Sequence, residues 1–290
     1  MSNVSLKRRL IRALDTPLGR PILAAVGTRM ARRTDPGAKV FYEGVWLHRT
    51  GSYTIPDSPQ FDYYGDFFAL FPRELETMFR NATDNWFYSY RPKAGDTVID
   101  IGAGRGEDSL PFSEAVGPAG RVVAIEADPN SFELLRHLCR ANRLVNVAPI
   151  HAAVIDGRRK VQIEVAASIE TDTWLQHSLL APGAGAPSAE VQGLTLDEIC
   201  DQYGVPAIDL LKMNIEGAEK IAISGMTRAL AVTKHVCIAC HDFRADRGHG
   251  EWFRSLDIVR PALEQAGFRL EMRDSDPRDY VRNHVYGSRQ

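Results

Sequence analysis

Thr97-Val98-Ile99-Asp100-Ile101-Gly102-Ala103-Gly104-Arg105-Gly106 decides the fold. An apolar run of strand length ends in a glycine loop, and Glu107-Asp108-Ser109 opens a helix behind it. Glycines there let the backbone turn sharply and approach a ligand closely at a helix N-terminus. The spacing is G-x-G-x-G, whereas dinucleotide binders set a pyrophosphate on the helix with G-x-G-x-x-G. The loop therefore suits a nucleoside that carries an amino-acid group in place of phosphates. Asp100, just before the loop, is the acid placed to receive that group's ammonium.

Outward from this stretch, apolar runs alternate with helical periodicity. Strands are predicted over 97–101, 122–125, 147–150, 208–215, 235–239, 268–272 and 280–286. Helices are predicted from about 107 and over 131–141, 194–203, 217–231 and 251–266. Such alternation specifies an α/β fold, doubly wound, with a mostly parallel seven-stranded sheet and helices on both faces. The closing strand pair adds an antiparallel edge. Residues 181–190, Ala-Pro-Gly-Ala-Gly-Ala-Pro-Ser-Ala-Glu, interrupt the pattern and read as a mobile loop.

The second strand ends Ile125-Glu126-Ala127-Asp128-Pro129. An acid at that tip accepts hydrogen bonds from both ribose hydroxyls, in nicotinamide enzymes as well as in methyl-donor enzymes. Combined with the glycine spacing, Glu126 favours S-adenosylmethionine as cofactor. Gly102, Ala103, Gly104 and Gly106 of the loop, with Glu126 and Ala127, are its candidate contacts alongside Asp100. A nicotinamide-dependent oxidoreductase stays as the alternative.

The fourth strand runs Leu210-Leu211-Lys212-Met213-Asn214-Ile215-Glu216-Gly217-Ala218-Glu219, and the fifth ends Cys240-His241-Asp242. Polar groups at the C-terminal ends of neighbouring buried strands converge on the crevice where open sheets bind ligands. Asn214 joins the cofactor contacts. His241 is the candidate general base by its intrinsic pKa, and Glu216 a candidate to orient it or to bind an acceptor hydroxyl. Glu219 reads as compensation of a helix dipole. A metal-assisted variant would use Asn214, Glu216, His241 and Asp242 as ligands for Mg²⁺ or Mn²⁺.

These residues resemble the FkbM family of methyltransferases. The likeness spans roughly 94–245, through the loop 100–106, Glu126-Ala127-Asp128-Pro129 and Thr195-Leu196-Asp197-Glu198. Its most specific part is 211–219, similar to the family's Lys-x-Asp-Val-Glu-Gly-Ala-Glu signature. The resemblance implies that Asp100, Gly102, Gly104 and Glu126 hold S-adenosylmethionine. It also implies O-methylation of a hydroxyl on a sugar, lipid-linked glycan or secondary metabolite. Asn214 stands where the family commonly has Asp, and His241-Asp242 where many members have Glu-x-His. The first departure removes a charge and weakens an assignment of that position as a metal ligand or a base.

The likeness leaves residues 1–90 as an N-terminal extension and 91–290 as the methyltransferase domain. Residues 1–34 carry eight basic side chains (Lys7, Arg8, Arg9, Arg12, Arg20, Arg29, Arg32, Arg33) against one acid, Asp15. Leu6, Leu10, Ile11, Leu14 and Leu18, then Ile22, Leu23, Val26 and Met30, recur at helical spacing. Two basic amphipathic helices are expected, packed on the domain or attached to an anionic membrane surface. An inactive, membrane-associated scaffold of the same fold is the corresponding alternative function. Residues 41–90 hold 15 of the 25 aromatics, either core or the wall of an apolar acceptor pocket.

A net charge of −2 argues against a chain built to bind nucleic acid. Of four cysteines, Cys237 and Cys240 form a lone CxxC in an apolar strand, without a second ligand pair for zinc. They read as buried reduced thiols of a cytoplasmic protein, possessing neither a signal peptide nor a spanning segment.

Overall fold

The structure is a computed structural model, and it describes residues 10, 11, 13–57, 71–164 and 188–289. Helix α1 (Arg20–Ala31) leads into an antiparallel meander of β1 (Lys39–Tyr42), β2 (Trp46–Thr50) and β3 (Tyr53–Asp57). Pro21 sits in the first turn of α1, where a missing N–H costs nothing. Leu23, Gly27 and Ala31, four residues apart, form the buried side of α1. Leu23 and Ala31 share an apolar cluster with Val40 and the fully buried Trp46. The other expected basic helix lies largely outside the described residues.

Helix α2 (Phe71–Asn81) runs into a π-helical turn, Ala82–Trp86. This turn delivers Trp86 and Phe87 into the cluster of Val98, Phe112 and Val122, so part of the aromatic segment is core of the main sheet. Tyr63, Tyr64, Phe67 and Phe68 lie outside the described residues.

The main sheet is built from β4 (Thr97–Ile101), β5 (Arg121–Glu126) and β6 (Val147–His151), joined by α3 (Ser109–Val116) and α4 (Pro129–Ala141). A small second sheet follows, with β7 (Ala153–Val154), β8 (Arg159–Glu164) and β9 (Ser188–Leu194) in the order β7-β9-β8. After α5 (Leu196–Tyr203), the main sheet resumes with β10 (Ile208–Met213), then α6 (Glu219–Ala222) and α7 (Thr227–Ala231). It closes with β11 (Thr233–Ala239), α8 (Asp242–Asp246), α9 (Leu256–Gln265), β12 (Arg269–Glu271), α10 (Asp279–Arg282) and β13 (His284–Ser288).

Seven strands stand in the order β12-β13-β11-β10-β4-β5-β6. The five from β11 to β6 are parallel, and β13 runs antiparallel between β11 and β12. The chain winds outward from β4 through β5 to β6, then returns to β10 on the other side of β4. The strand order thus reverses between β4 and β10, where such sheets open a crevice at their C-terminal edge. Alternate residues divide cleanly between the faces. Ile99, Ile101, Val123, Ile125, Leu211 and Met213 belong to one core cluster, and Val98, Val122, Ala124 and Leu210 to the other. Burial on both faces is why these strands read as unbroken apolar runs.

The expected helix over 217–231 is instead α6, a 3₁₀ turn at Ile223–Gly225, and α7. Gly225 lies so close to the segment after β7 that a Cβ would stand 2.2 Å from the Ile155 carbonyl oxygen. That contact and the non-helical Met226 (φ −133°) break the helix. The last predicted strand starts later than expected, because 279–282 form α10. In the expected mobile loop, Ser188–Glu190 belong to β9 and the remainder lies outside the described residues. Thr195 and Glu198 form a reciprocal capping box at the start of α5, a local reason for that motif. All four cysteines are buried free thiols.

Candidate active site

The crevice is shaped first by Gly102. Its φ is +75°, and a Cβ would stand 2.0 Å from the Asn214 carbonyl oxygen, so only glycine lets the tips of β4 and β10 meet. Gly104 also has a positive φ, and its N–H donates to Glu126 Oε2 at 2.7 Å. Glu126 Oε1 accepts from the Asp128 N–H, also at 2.7 Å. The ends of β4 and β5 are thereby tied together through one carboxylate. Gly106 serves helix packing instead, since a Cβ there would strike Leu138 of α4 at 2.9 Å.

Gly102, Gly104, Glu126, Ala127, Asn214 and Glu216 line a single cleft. Asn214 Oδ1 is buried with no hydrogen-bond partner among the described residues. Such an acceptor is costly unless something supplies a donor. Ala103, Gly106, Asp100, His241 and Asp242 do not line this cleft.

Asp100 departs from expectation. It is fully buried on the opposite side of β4, where it accepts from Lys212 Nζ at 2.8 Å and from Ser109 Oγ at 2.6 Å. Lys212 is its register neighbour on β10. The Lys212 ammonium also reaches Asp108 Oδ2 at 3.0 Å and the Gly102 carbonyl at 2.9 Å, satisfying all three of its donors. Trp86 closes the group, with Nε1 donating to Asp108 at 2.7 Å and its ring 5.1 Å from the ammonium. Burial alone would lower the Lys212 pKa, but Asp100 and Asp108 outweigh it and raise it. The direct ammonium contact expected of Asp100 is thus taken by an internal lysine that pins the glycine loop.

Glu216 and His241 do meet, in a buried cluster with Glu219 and Arg244. His241 Nε2 lies 3.2 Å from Glu216 Oε1 and Nδ1 lies 3.1 Å from Glu219 Oε1. Arg244 donates to Glu216 Oε2 at 2.8 Å. Burial alone would lower the His241 pKa, but the two carboxylates push it up to about 10. With both ring nitrogens against carboxylates and no place in the cleft lining, His241 is not positioned as the general base expected from the sequence. Burial would raise the Glu216 pKa, but His241 and Arg244 hold it below the usual carboxylate range. Glu216 adopts φ +57°, a conformation disfavoured for its side chain, at the tip after β10. Glu219 holds that tip by accepting the N–H groups of Ile215 and Gly217, each at 2.9 Å. Its role is to scaffold the loop.

The four metal candidates do not converge. Asp242 Oδ2 accepts from the N–H groups of Ser255 and Leu256, at 3.0 and 3.1 Å, and so caps α9. The Arg244 guanidinium 2.8 Å from Glu216 repels a second cation there. No group of three or more His, Cys, Asp or Glu among the described residues is arranged to hold a metal ion.

Residues 100–270, more than half of the protein, match the family described as "Methyltransferase FkbM domain". The chain belongs to the FkbM methyltransferase family. Among solved structures it resembles the FkbM methyltransferase of Methylobacillus flagellatus KT, with TM-score 0.50 and 16% identity. That likeness covers 93% of this chain and 59% of the other, so this FkbM chain spans 59% of that relative's length. Aeropyrum pernix fibrillarin, solved with natively bound S-adenosyl-L-methionine, matches at TM-score 0.42 and 14% identity over 87% of this chain and 81% of its own. The N-terminal domain of EvdMO1, solved with SAH and D-fucose, matches at TM-score 0.42 and 13% identity, covering 75% of this chain and 83% of its own. No curated protein matches the chain by sequence.

The sequence reading of this FkbM domain missed several parts of the cleft. Ala152, Ala153 and Val154 close it beyond the end of β6, with Ser131 of α4 and Ile163 of β8. The strand-tip rule that selected Glu126 also applies after the third strand, and would have found the first three. Arg244 was missed too. A lone arginine three residues beyond His241 carries no signal until the fold buries it against Glu216.

Proposed function

We propose that this FkbM-family protein is an S-adenosylmethionine-dependent methyltransferase acting on a hydroxyl oxygen of a sugar, lipid-linked glycan or secondary metabolite. The observation that carries the reading is the buried, unpartnered Asn214 Oδ1 sharing one cleft with Glu126. An acceptor without a donor suits the ammonium of the cofactor's methionine part, and a strand-tip carboxylate suits its ribose hydroxyls. The apolar wall of Ile125, Ala152, Ala153 and Val154 suits an adenine ring. Gly102 and Gly104 keep the loop bare of side chains beside it. Bound S-adenosylmethionine supplies a methyl group on a sulfonium, activated for in-line displacement.

The chain itself must do two things. The acceptor oxygen must be held in line, which can supply ~7–11 kcal/mol of the barrier. Its proton must also leave. Glu216 lines the cleft and is held as a carboxylate by Arg244 and His241, so it receives that proton. An oxygen already bonding to a methyl carbon is a much stronger acid than a free hydroxyl, so a weakly basic carboxylate suffices. His241 is a positioning residue that fixes and charges Glu216.

Equilibrium dialysis against methyl-labelled S-adenosylmethionine tests the assignment. About one equivalent retained per chain is expected, with no retention of NADH. Retention of NADH and not of S-adenosylmethionine would return the nicotinamide reading.

A further inference from the structure

Helix α1 buries Leu23, Gly27 and Ala31, yet its outer side is also apolar. Leu18, Ile22 and Val26, again four residues apart, are 91%, 57% and 46% exposed. Ile22 and Val26 lie one above the other on the helix, and Leu18 stands exposed in the turn just before it. Leu10 adds a further exposed side chain at 61%. Nine large apolar side chains are exposed among the described residues, and four of them fall within residues 10–26. Such clustering marks an interaction surface, whereas scattered single exposures do not.

The row continues into charge. Arg29 in the last turn of α1 and Arg33 just beyond its end follow, and both are exposed. A shallow groove beside it is lined by Ala25, Thr28, Arg29, Arg32, Lys39 and Phe41. Three cations around a small depression form a seat for a phosphate-bearing headgroup. The whole segment 1–34 has eight basic residues and one acid, in a protein of net charge −2.

We infer that the outer side of α1 docks on the surface of an anionic lipid bilayer. Leu18, Ile22 and Val26 enter the boundary of the acyl region, and Arg29, Arg32 and Lys39 take lipid phosphates. A protein partner needs a complementary shape, with side chains fitted into pockets at interior density. A row of free-standing aliphatic side chains on one convex helix offers no such pockets, and a bilayer requires none. The inference does not rest on the methyl-transfer reading, and its test reads no cofactor.

The full protein is sedimented with vesicles of phosphatidylcholine containing roughly 30% phosphatidylserine, and with phosphatidylcholine alone. Binding to the anionic vesicles is expected, weaker on the neutral ones and reduced by raised salt. The double variant Ile22→Ser/Val26→Ser should lose about tenfold or more in partitioning. Arg29→Gln/Lys39→Gln should reduce the preference for phosphatidylserine. All four positions are exposed, so thermal melting should stay unchanged, and Leu18→Ser gives an independent check. Wild-type protein that stays in the supernatant with anionic vesicles overturns the inference. So does equal sedimentation of the Ile22/Val26 variant. A lipid-free dimer that this variant converts to monomer would also overturn it, assigning the row to a second copy.

Discussion

His241 Nε2 stands 3.2 Å from Glu216 Oε1, with the opposite ring nitrogen against Glu219. The two carboxylates favour the cationic form of the histidine, and under the proposed function Glu216 is the group that receives the acceptor's proton. Glu216→Gln keeps the shape and removes the charge. It should lower turnover on a hydroxyl acceptor by ~10²-fold or more. Affinity for S-adenosylhomocysteine should stay within about threefold, ~0.6 kcal/mol. Full turnover in this variant would remove Glu216 from the chemistry.

The same clamp makes stability depend on alkali. Unfolded, the imidazole titrates at its ordinary value of 6.5, and folded, near 10. The folded state therefore holds the extra proton between those values. Its stabilisation is complete below 6.5 and is lost as pH rises toward 10. Urea midpoints measured across that window should fall for the wild type, and fall less steeply for His241→Gln. Parallel slopes would show that His241 is not cationic in the fold.

Lys212 is the fully buried cation between Asp100 and Asp108. Removing one partner of a buried charge group leaves the rest uncompensated, at a typical cost of ~3–5 kcal/mol. Lys212→Met should destabilise the protein by that amount in urea unfolding, and more than the double variant Lys212→Met/Asp100→Asn. It should also weaken S-adenosylhomocysteine binding, because the Gly102 carbonyl loses the donor that fixes it. A loss under ~1 kcal/mol, the worth of an exposed pair, would contradict the buried network.

Gly102→Ala places a Cβ 2.0 Å from the Asn214 carbonyl oxygen. The strand tips cannot both keep their places, so cofactor binding should be abolished or the protein should fail to accumulate folded. Gly117→Ala, where nothing lies within 4 Å of the new Cβ, should leave binding intact despite its positive φ. Equal cofactor affinity in both variants would show that the close approach at Gly102 has no role.

What could be read from the sequence follows from how each feature is encoded. The central strands were legible because both faces are buried, as Val98-Ile99 and Leu210-Leu211 illustrate. The glycine spacing and Glu126 were legible because a nucleoside site is assembled from adjacent residues. β7 and β9 were not: β7 has two residues, and β9 carries Ser188, Glu190 and Gln192 with Gly193 packed on Ile155. The state of Asp100 was hidden because its partner Lys212 lies 112 residues away. The charge of His241 was hidden for the same reason. An isolated imidazole suggests a base, and only the fold brings Glu216 and Glu219 to its two sides.

The proposed function stands or falls on whether the cleft beyond β4, β5 and β10 holds S-adenosylmethionine through Glu126 and Asn214. Calorimetric titration with S-adenosylhomocysteine decides this, on the wild type and on Glu126→Ala. Hydrogen bonds to a charged group are each worth ~1.5–3 kcal/mol, so the variant should bind at least about tenfold more weakly. Part of that loss reflects the tie to the Gly104 N–H, and Asn214→Leu, which cannot accept from an ammonium, should weaken binding independently. Wild-type protein that gives no heat with S-adenosylhomocysteine, or variants that bind it as tightly as the wild type, would contradict the assignment.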